Sequence, residues 1–237
     1  MKHLLDLLAA IALLVWGTHL VRNGVLRVFG SNLRHVLASS MGNRFTAALS
    51  GLGVTALVQS STATALITAS FVGRGLIALP AALAVMLGAD IGTSVMAVVF
   101  SFDLSWLSPL FIFVGVTLFI LRQGTQVGDV GRVLIGLGLM LLALGMLGAT
   151  LGAVESTPVF QLVMTSLDGD LLLALLVAML LTWMCHSSVA VVLLIASLAS
   201  TGLLSPATSM ALVLGVNLGG TLPSLLGASG NVARRLP

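Results

Sequence analysis

The sequence predicts an all-α integral membrane protein built from two inverted-topology repeats, each a re-entrant helical hairpin followed by discontinuous or Gly-rich transmembrane helices. Three observations carry that expectation: a composition that only lipid can solvate, two over-long apolar stretches with polar knots at their centres, and a self-alignment at fixed offset. Of 237 residues, 58% are hydrophobic and 7% charged, against about 25% charged in an ordinary soluble domain. The mean hydropathy is +1.18. So few charges cannot cover the surface of a soluble fold this long, so the lipid bilayer is the partner for much of it.

The net charge of +3 does not indicate nucleic acid, because the basic residues are thinly spread and not interleaved with aromatics. The single Cys185 excludes an internal disulfide. The apolar run Leu4–Val21 contains Asp6, is followed by Arg22, Arg27 and Arg34, and shows no clear cleavage site; it reads as a retained helix, not a signal peptide.

The apolar stretches fall at 4–21, 45–72, 76–100, 106–121, 133–151, 171–199 and 203–226. A straight span needs roughly 20 residues. Stretches 45–72 and 171–199 exceed that, and their centres read QSSTAT (Gln59 to Thr64) and CHSS (Cys185 to Ser188). Polar groups at membrane depth are costly unless paired or facing a wet cavity. Each stretch therefore reads as a helix–break–helix hairpin.

Charge agrees. If both hairpins enter and leave on one side, all nine arginines share a face, while Asp103, Glu155, Asp168 and Asp170 take the other. Two full spans would instead put Arg74 and the Arg122–Arg132 loop opposite Arg22–Arg44, against the positive-inside rule.

Shifting the chain by 127 residues lays Thr55–Ser94 on Thr182–Thr221 without a gap, with thirteen identities in 40 positions. Shared low complexity accounts for Leu and Ala matches but not for Ser60/Ser187, Ser61/Ser188, Gly88/Gly215 and Gly92/Gly219 in one register. An odd number of crossings between copies makes the repeat inverted, a plan common to secondary transporters with the substrate at the midplane. The stretch 106–121 has no counterpart, which would fall near 233–248. Either the chain is cut short or a partner chain, with a homodimer allowed for, supplies that packing.

The first polar cluster is Gln59, Ser60, Ser61, Thr62 and Thr64; the second is His186, Ser187 and Ser188. Hydroxyls, an amide and an imidazole supply donors for an anion. The second half-helix of each hairpin aims its free N–H groups and positive dipole end at the break. Hydroxyls and freed carbonyls also suit a hard cation such as Na⁺. The bland reading, that small polar residues let membrane helices approach, suits one Ser pair better than two related by symmetry. GADIGTS (Gly88–Ser94) and GVNLGGT (Gly215–Thr221) have the Gly-x-x-x-Gly spacing of a packing face. Asp90 and its partner Asn217 go further, because an ionised Asp at the bilayer centre costs about 3 kcal/mol or more without a cation, a proton or a donor. No Cys/His cluster has transition-metal spacing.

QSSTATAL, repeated as HSSVAVVL, with each copy followed by Gly-x-(Asp/Asn)-(Ile/Leu)-Gly, resembles the type II sodium–phosphate cotransporter family. The resemblance covers about residues 45–226. It implies two inverted repeats with phosphate and Na⁺ bound between their Gln-Ser-Ser segments. It also implies Gln59, Ser60, Ser61, Thr62, Ser187 and Ser188 as site residues, together with Asn217, Thr93, Ser94 and Thr221. His186 stands where the family usually has Gln, Asp90 where Asn is usual, and Gly220 opposite Thr93.

The expectation is sodium-coupled symport of inorganic phosphate by alternating access, and no enzyme. The substrate set is Gln59, Ser60, Ser61, Thr62, His186, Ser187 and Ser188; the Na⁺ set is Asp90, Thr93, Ser94, Asn217, Thr221 and Thr64, with no organic cofactor. The domain plan is one transmembrane unit: 1–44 as N-terminal helix and Arg-rich segment, 45–121 as repeat 1, 122–170 as connector, and 171–237 as repeat 2. Its place is the bacterial inner (plasma) membrane, with Arg-rich loops cytoplasmic. It reads as the membrane domain of a bacterial member, without the regulatory helical domain that such members often carry. The rivals are a phosphate sensor that does not transport, a proton-coupled anion transporter, and an intramembrane hydrolase using a Ser with His186, which the symmetry disfavours.

Overall fold

The computed structural model describes residues 2–102, 104–154, 157–200, 202 and 204–233. Asp103, Glu155, Arg234 and Arg235, which enter the charge argument, lie outside the described residues. Every element is helical: α1 (Lys2–Ser39), α2 (Arg44–Val58), α3 (Ser61–Gly73), α4 (Leu79–Ser101), α5 (Ser108–Leu121), α6 (Gln126–Val154), α7 (Pro158–Gly169), α8 (Leu171–Cys185), α9 (Ser188–Ser200) and α10 (Pro206–Ala233). Short 3₁₀ turns sit at Ser40–Gly42 and Ser105–Leu107.

Leu5–Ser39, Leu79–Ser101 and Gln126–Leu151 are each long and apolar enough to cross a bilayer, and α7 meets α8 at a 115° bend. Large apolar side chains such as Phe113 (73% exposed) and Leu87 (65%) point outward. In water such a surface would be an aggregation liability; in lipid it is solvated. The chain is an all-α integral membrane protein.

The two broken stretches fold alike to the residue. Adding 127 to the bounds of α2 and α3 gives the bounds of α8 and α9, and Leu79 at the start of α4 maps to Pro206 at the start of α10. The caps match too: the Asn43 side chain accepts from Phe45 N, and that of Asp170 accepts from Leu172 N and Leu173 N. Gly75 and Gly202 both take positive φ, +69° and +77°. The structural repeat therefore begins at Asn43, twelve residues before the sequence match.

Glycines set the helix pairing in both units. A Cβ on Gly88 would collide with the backbone of Ala48, and one on Gly92 would lie 2.7 Å from Leu52 O. Gly215 and Gly219 stand in the same relation to Leu175 and Met179. Hence α4 runs beside α2, and α10 beside α8, in the same direction at backbone contact. The Gly-x-x-x-Gly elements are packing faces.

α1 differs from the expectation of a helix over 4–21 followed by a segment carrying arginines. It continues without a break to Ser39, roughly 57 Å at 1.5 Å per residue, so Arg22, Arg27 and Arg34 are helical. Nothing between Val21 and Ser39 stops it, since the run holds no Pro. It packs antiparallel on α6, with Gly17 against Gly136 and Met140, and Gly24 against Asp129 and Val133. Arg27 and Arg132 both reach Asp129, at 3.9 and 3.1 Å, and Arg132 also lies 5.2 Å over the Phe119 ring. The connector 122–170 holds α6 and α7. Its Asp168 carboxylate accepts from Ser205 N and Thr208 Oγ1, joining the end of α7 to the start of α10.

Candidate functional site: the cleft at the hairpin tips

Each hairpin turns on one left-handed residue. Gln59 has φ 54°, ψ 35°, and His186 has φ 51°, ψ 28°; they are the only non-Gly residues with positive φ among the described residues. A left-handed L-residue costs roughly 1–2 kcal/mol, and such strain gathers at functional sites. The next residue in each case caps the following helix: Ser60 Oγ accepts from Ala63 N and Ser187 Oγ from Ala190 N, both at 3.2 Å. The first Ser of each pair is thus an N-cap, and the second opens α3 or α9.

Behind the tips the two units touch. Ser61 Oγ and Ser188 Oγ are 2.9 Å apart, and both residues are buried. Thr62 Oγ1 donates to Gly220 O at 3.0 Å, drawing α10 onto the same point. Gly220 leaves room there: an added Cβ would sit 3.7 Å from Ser61 Oγ and 3.8 Å from Thr62 Oγ1. Thr55 and Thr64 share a 2.8 Å hydroxyl bond across the first hairpin.

In front of the tips lies a narrow cleft lined by Gln59, Ser60, His186 and Ser187 together with Thr18, His19 and Arg22 of α1. It is too narrow to hold a water molecule. Gln59 is 3% exposed, whereas its counterpart His186 stands at the exposed rim. Gln59 Oε1 is buried with no hydrogen-bond partner. His19 Nδ1 lies 3.4 Å from Arg22 Nη2; a guanidinium only donates, so the imidazole accepts. Two helix N-termini and a guanidinium converge here, and no carboxylate lines the cleft. Such a site favours an anion.

The seven residues expected for substrate therefore gather at one place, four in the cleft lining and three (Ser61, Thr62, Ser188) directly behind it. The ion set is dispersed. Thr64 bonds within its hairpin, Thr93 Oγ1 donates to Ala89 O, Ser94 Oγ to Asp90 O, and Thr221 Oγ1 to Leu218 O. Asp90 and Asn217 are half-buried on α4 and α10, and neither lines the cleft. Thr18, His19 and Arg22 were not expected. Their signal in the sequence is helical spacing of 18, 19 and 22 in a run with no stop before Ser39, which makes Arg22 a helical residue and not a loop charge.

The fold and the cleft define a helical membrane protein with paired hairpin tips and an anion-favouring cleft, and comparison with known proteins adds its family. The Na⁺/Pi-cotransporter family matches residues 13–149 and 155–233, and the chain belongs to that family. It is similar to the "Putative inorganic phosphate export protein YjbB" of Escherichia coli (strain K12) and of Salmonella typhimurium (strain LT2), at 48% identity over 236 residues, 99% of this chain and 44% of each relative. The chain thus spans less than half the length of these relatives. It is also 23% identical over 98% of its length to the uncharacterized protein YqeW of Bacillus subtilis (strain 168), covering 76% of that protein. No solved structure matches the chain.

Proposed function

We propose that the protein moves inorganic phosphate across the bacterial inner membrane by alternating access around the tip cleft, coupled to Na⁺. The observation that carries this is the contact of Ser61 with its own repeat counterpart Ser188. In this reading 45–121 and 171–237 are inverted repeats joined by 122–170, and α2–α3 and α8–α9 are re-entrant hairpins entering from opposite faces. Closure at the tips, set beside an open cavity of about 430 Å³ between the ends of α4, α6 and α9, suits a carrier whose two hairpins open in turn. Arg27, Arg34, Arg44, Arg74, Arg122 and Arg132 then mark the cytoplasmic face.

Na⁺ would offset the charge of the anion, with oxygen ligands from Asp90, Thr93, Ser94, Asn217, Thr221 and Thr64 assembled as the hairpins move. The relatives' printed name assigns export to them; in the symport proposed here the direction of flux follows the combined Na⁺ and phosphate gradients.

The test is radiolabelled phosphate flux in proteoliposomes, with and without a Na⁺ gradient. Flux that follows the gradient is expected. Flux indifferent to Na⁺ overturns the coupling, and phosphate binding without any flux replaces the transporter by a sensor.

A further inference from the structure

We propose that Arg22 and Gln59 form a selectivity pair in the tip cleft: the Arg22 guanidinium takes the anion's charge, and Gln59 Oε1 accepts an O–H from the anion, so that protonated tetrahedral oxyanions are chosen over sulfate. This rests on the reading of the cleft as the phosphate site.

Two independent observations support it. Arg22 lies within the membrane helix α1 and lines the cleft, and among the described residues no carboxylate pairs with it; the ion pairs present involve Arg27 and Arg132, both with Asp129. A half-buried guanidinium beside two helix N-termini favours an anion, and its fork fits two oxygens of a tetrahedral oxyanion. The other facing groups, His19 and His186, carry no fixed negative charge. Secondly, Gln59 Oε1 is a buried acceptor without a donor. Such a group is costly in a finished structure and is explained by a ligand that donates. Fully ionised sulfate has only acceptors. Hydrogenphosphate and dihydrogenphosphate each keep an O–H, as does arsenate at the same pH. The site is one-sided, because His19 and Arg22 lie on α1, before the repeat begins at Asn43. The cation is therefore supplied once, by α1.

The experiment is binding of labelled phosphate to the full chain in nanodiscs, with competition by arsenate and by sulfate. Wild type should bind phosphate, yield it to arsenate and hold it against equimolar sulfate. Arg22→Gln should weaken phosphate binding at least tenfold, and Arg22→Lys, which keeps the charge without the fork, severalfold. Gln59→Met should also weaken phosphate at least tenfold and bring phosphate and sulfate to parity. Wild-type affinity in Arg22→Gln, or in Arg22→Lys should the first not fold, overturns the role of Arg22. Sulfate competing as well as phosphate in the wild type overturns that of Gln59, since the amide would then be offering N–H. Wild-type protein that binds no phosphate overturns the underlying reading and this pair with it.

Discussion

Ser61 and Ser188, equivalent positions in the two copies of the repeat, hydrogen-bond each other through their hydroxyls at 2.9 Å. If a twofold operation relates the copies, a residue that touches its own image lies beside the axis. The symmetry centre of the membrane domain then falls between these two oxygens. Any motion that exchanges the two hairpins must work about this point, and a substrate shared by both copies binds next to it.

Ser61→Leu or Ser188→Leu should abolish phosphate flux, because an isobutyl group at the contact wedges the tips apart. Overpacking of this kind costs about 1–3 kcal/mol. Ser61→Ala removes a single hydrogen bond, worth about 1 kcal/mol, and should keep partial flux. Uptake assays paired with thermal unfolding of the purified variants check both. Wild-type flux in either Leu variant would remove the tips from the pathway.

Much of this centre was legible in the sequence, for a physical reason. A helix broken inside a bilayer needs a turn residue, a cap and small neighbours, and these appear as Gln-Ser-Ser or His-Ser-Ser followed by a Gly-rich helix. Two copies of such a pattern at one offset are hard to produce by chance. What escaped the sequence is equally physical. Asn43 and Asp170 extend the repeat as matching caps, but they are different residue types doing the same work, so an identity count passes over them. Arg22 reads as the start of the Arg-rich segment within 1–44, because charge is the usual sign that a span has ended. The helix went on, and only packing against the tips shows what the charge faces. The Gly elements were read partly as ligand-bearing; their immediate role is to hold α2 to α4 and α8 to α10.

That packing role gives a stability prediction. Gly51 of α2 faces the Val85 backbone and Gly88 of α4 faces that of Ala48, so an added Cβ collides with main chain that cannot rotate away. Gly88→Ala and Gly215→Ala should each cost about 1–3 kcal/mol and lower the apparent unfolding temperature. Gly53→Ala, on the same α2 with nothing within 4 Å of the new methyl, should be neutral or slightly stabilising, since Ala is the better helix former by about 1 kcal/mol. Thermal unfolding in detergent ranks the three. Equal behaviour would mean that the α2–α4 contact is looser than backbone touch.

Strain and function separate at the first tip. Gln59 holds a left-handed conformation that costs an L-residue roughly 1–2 kcal/mol and glycine almost nothing. Gln59→Gly should therefore leave the protein at least as stable, while deleting the amide from the cleft and with it phosphate binding. His186→Gln recreates at the second tip the residue already tolerated at φ 54° in the first, and should retain transport, whereas a hydrolase using His186 would be dead. Flux and unfolding measured on the same preparations decide it: a destabilised, fully active Gln59→Gly would refute the assignment of that side chain to the site.

The exposed Asp168 ties the end of α7 to the start of α10. Hydrogen bonds from Ser205 and Thr208 hold its carboxyl below the usual carboxylate value of 3.8. A depressed folded-state pKa means that the anion is favoured by folding. Its contribution is complete above the unfolded value and is lost as pH falls through the folded one. Asp168→Asn should raise amide hydrogen exchange at Ser205 at neutral pH, because the neutral amide is the weaker acceptor for the Ser205 N–H. Wild type and variant should converge only in acid, below the ordinary carboxylate value of 3.8, as the wild-type carboxyl protonates. Exchange mass spectrometry across that range reads the effect locally. Identical protection at pH 7 would show that apolar packing of Leu167 beside Leu204 and Leu212, and not the carboxylate, fastens α7 to α10.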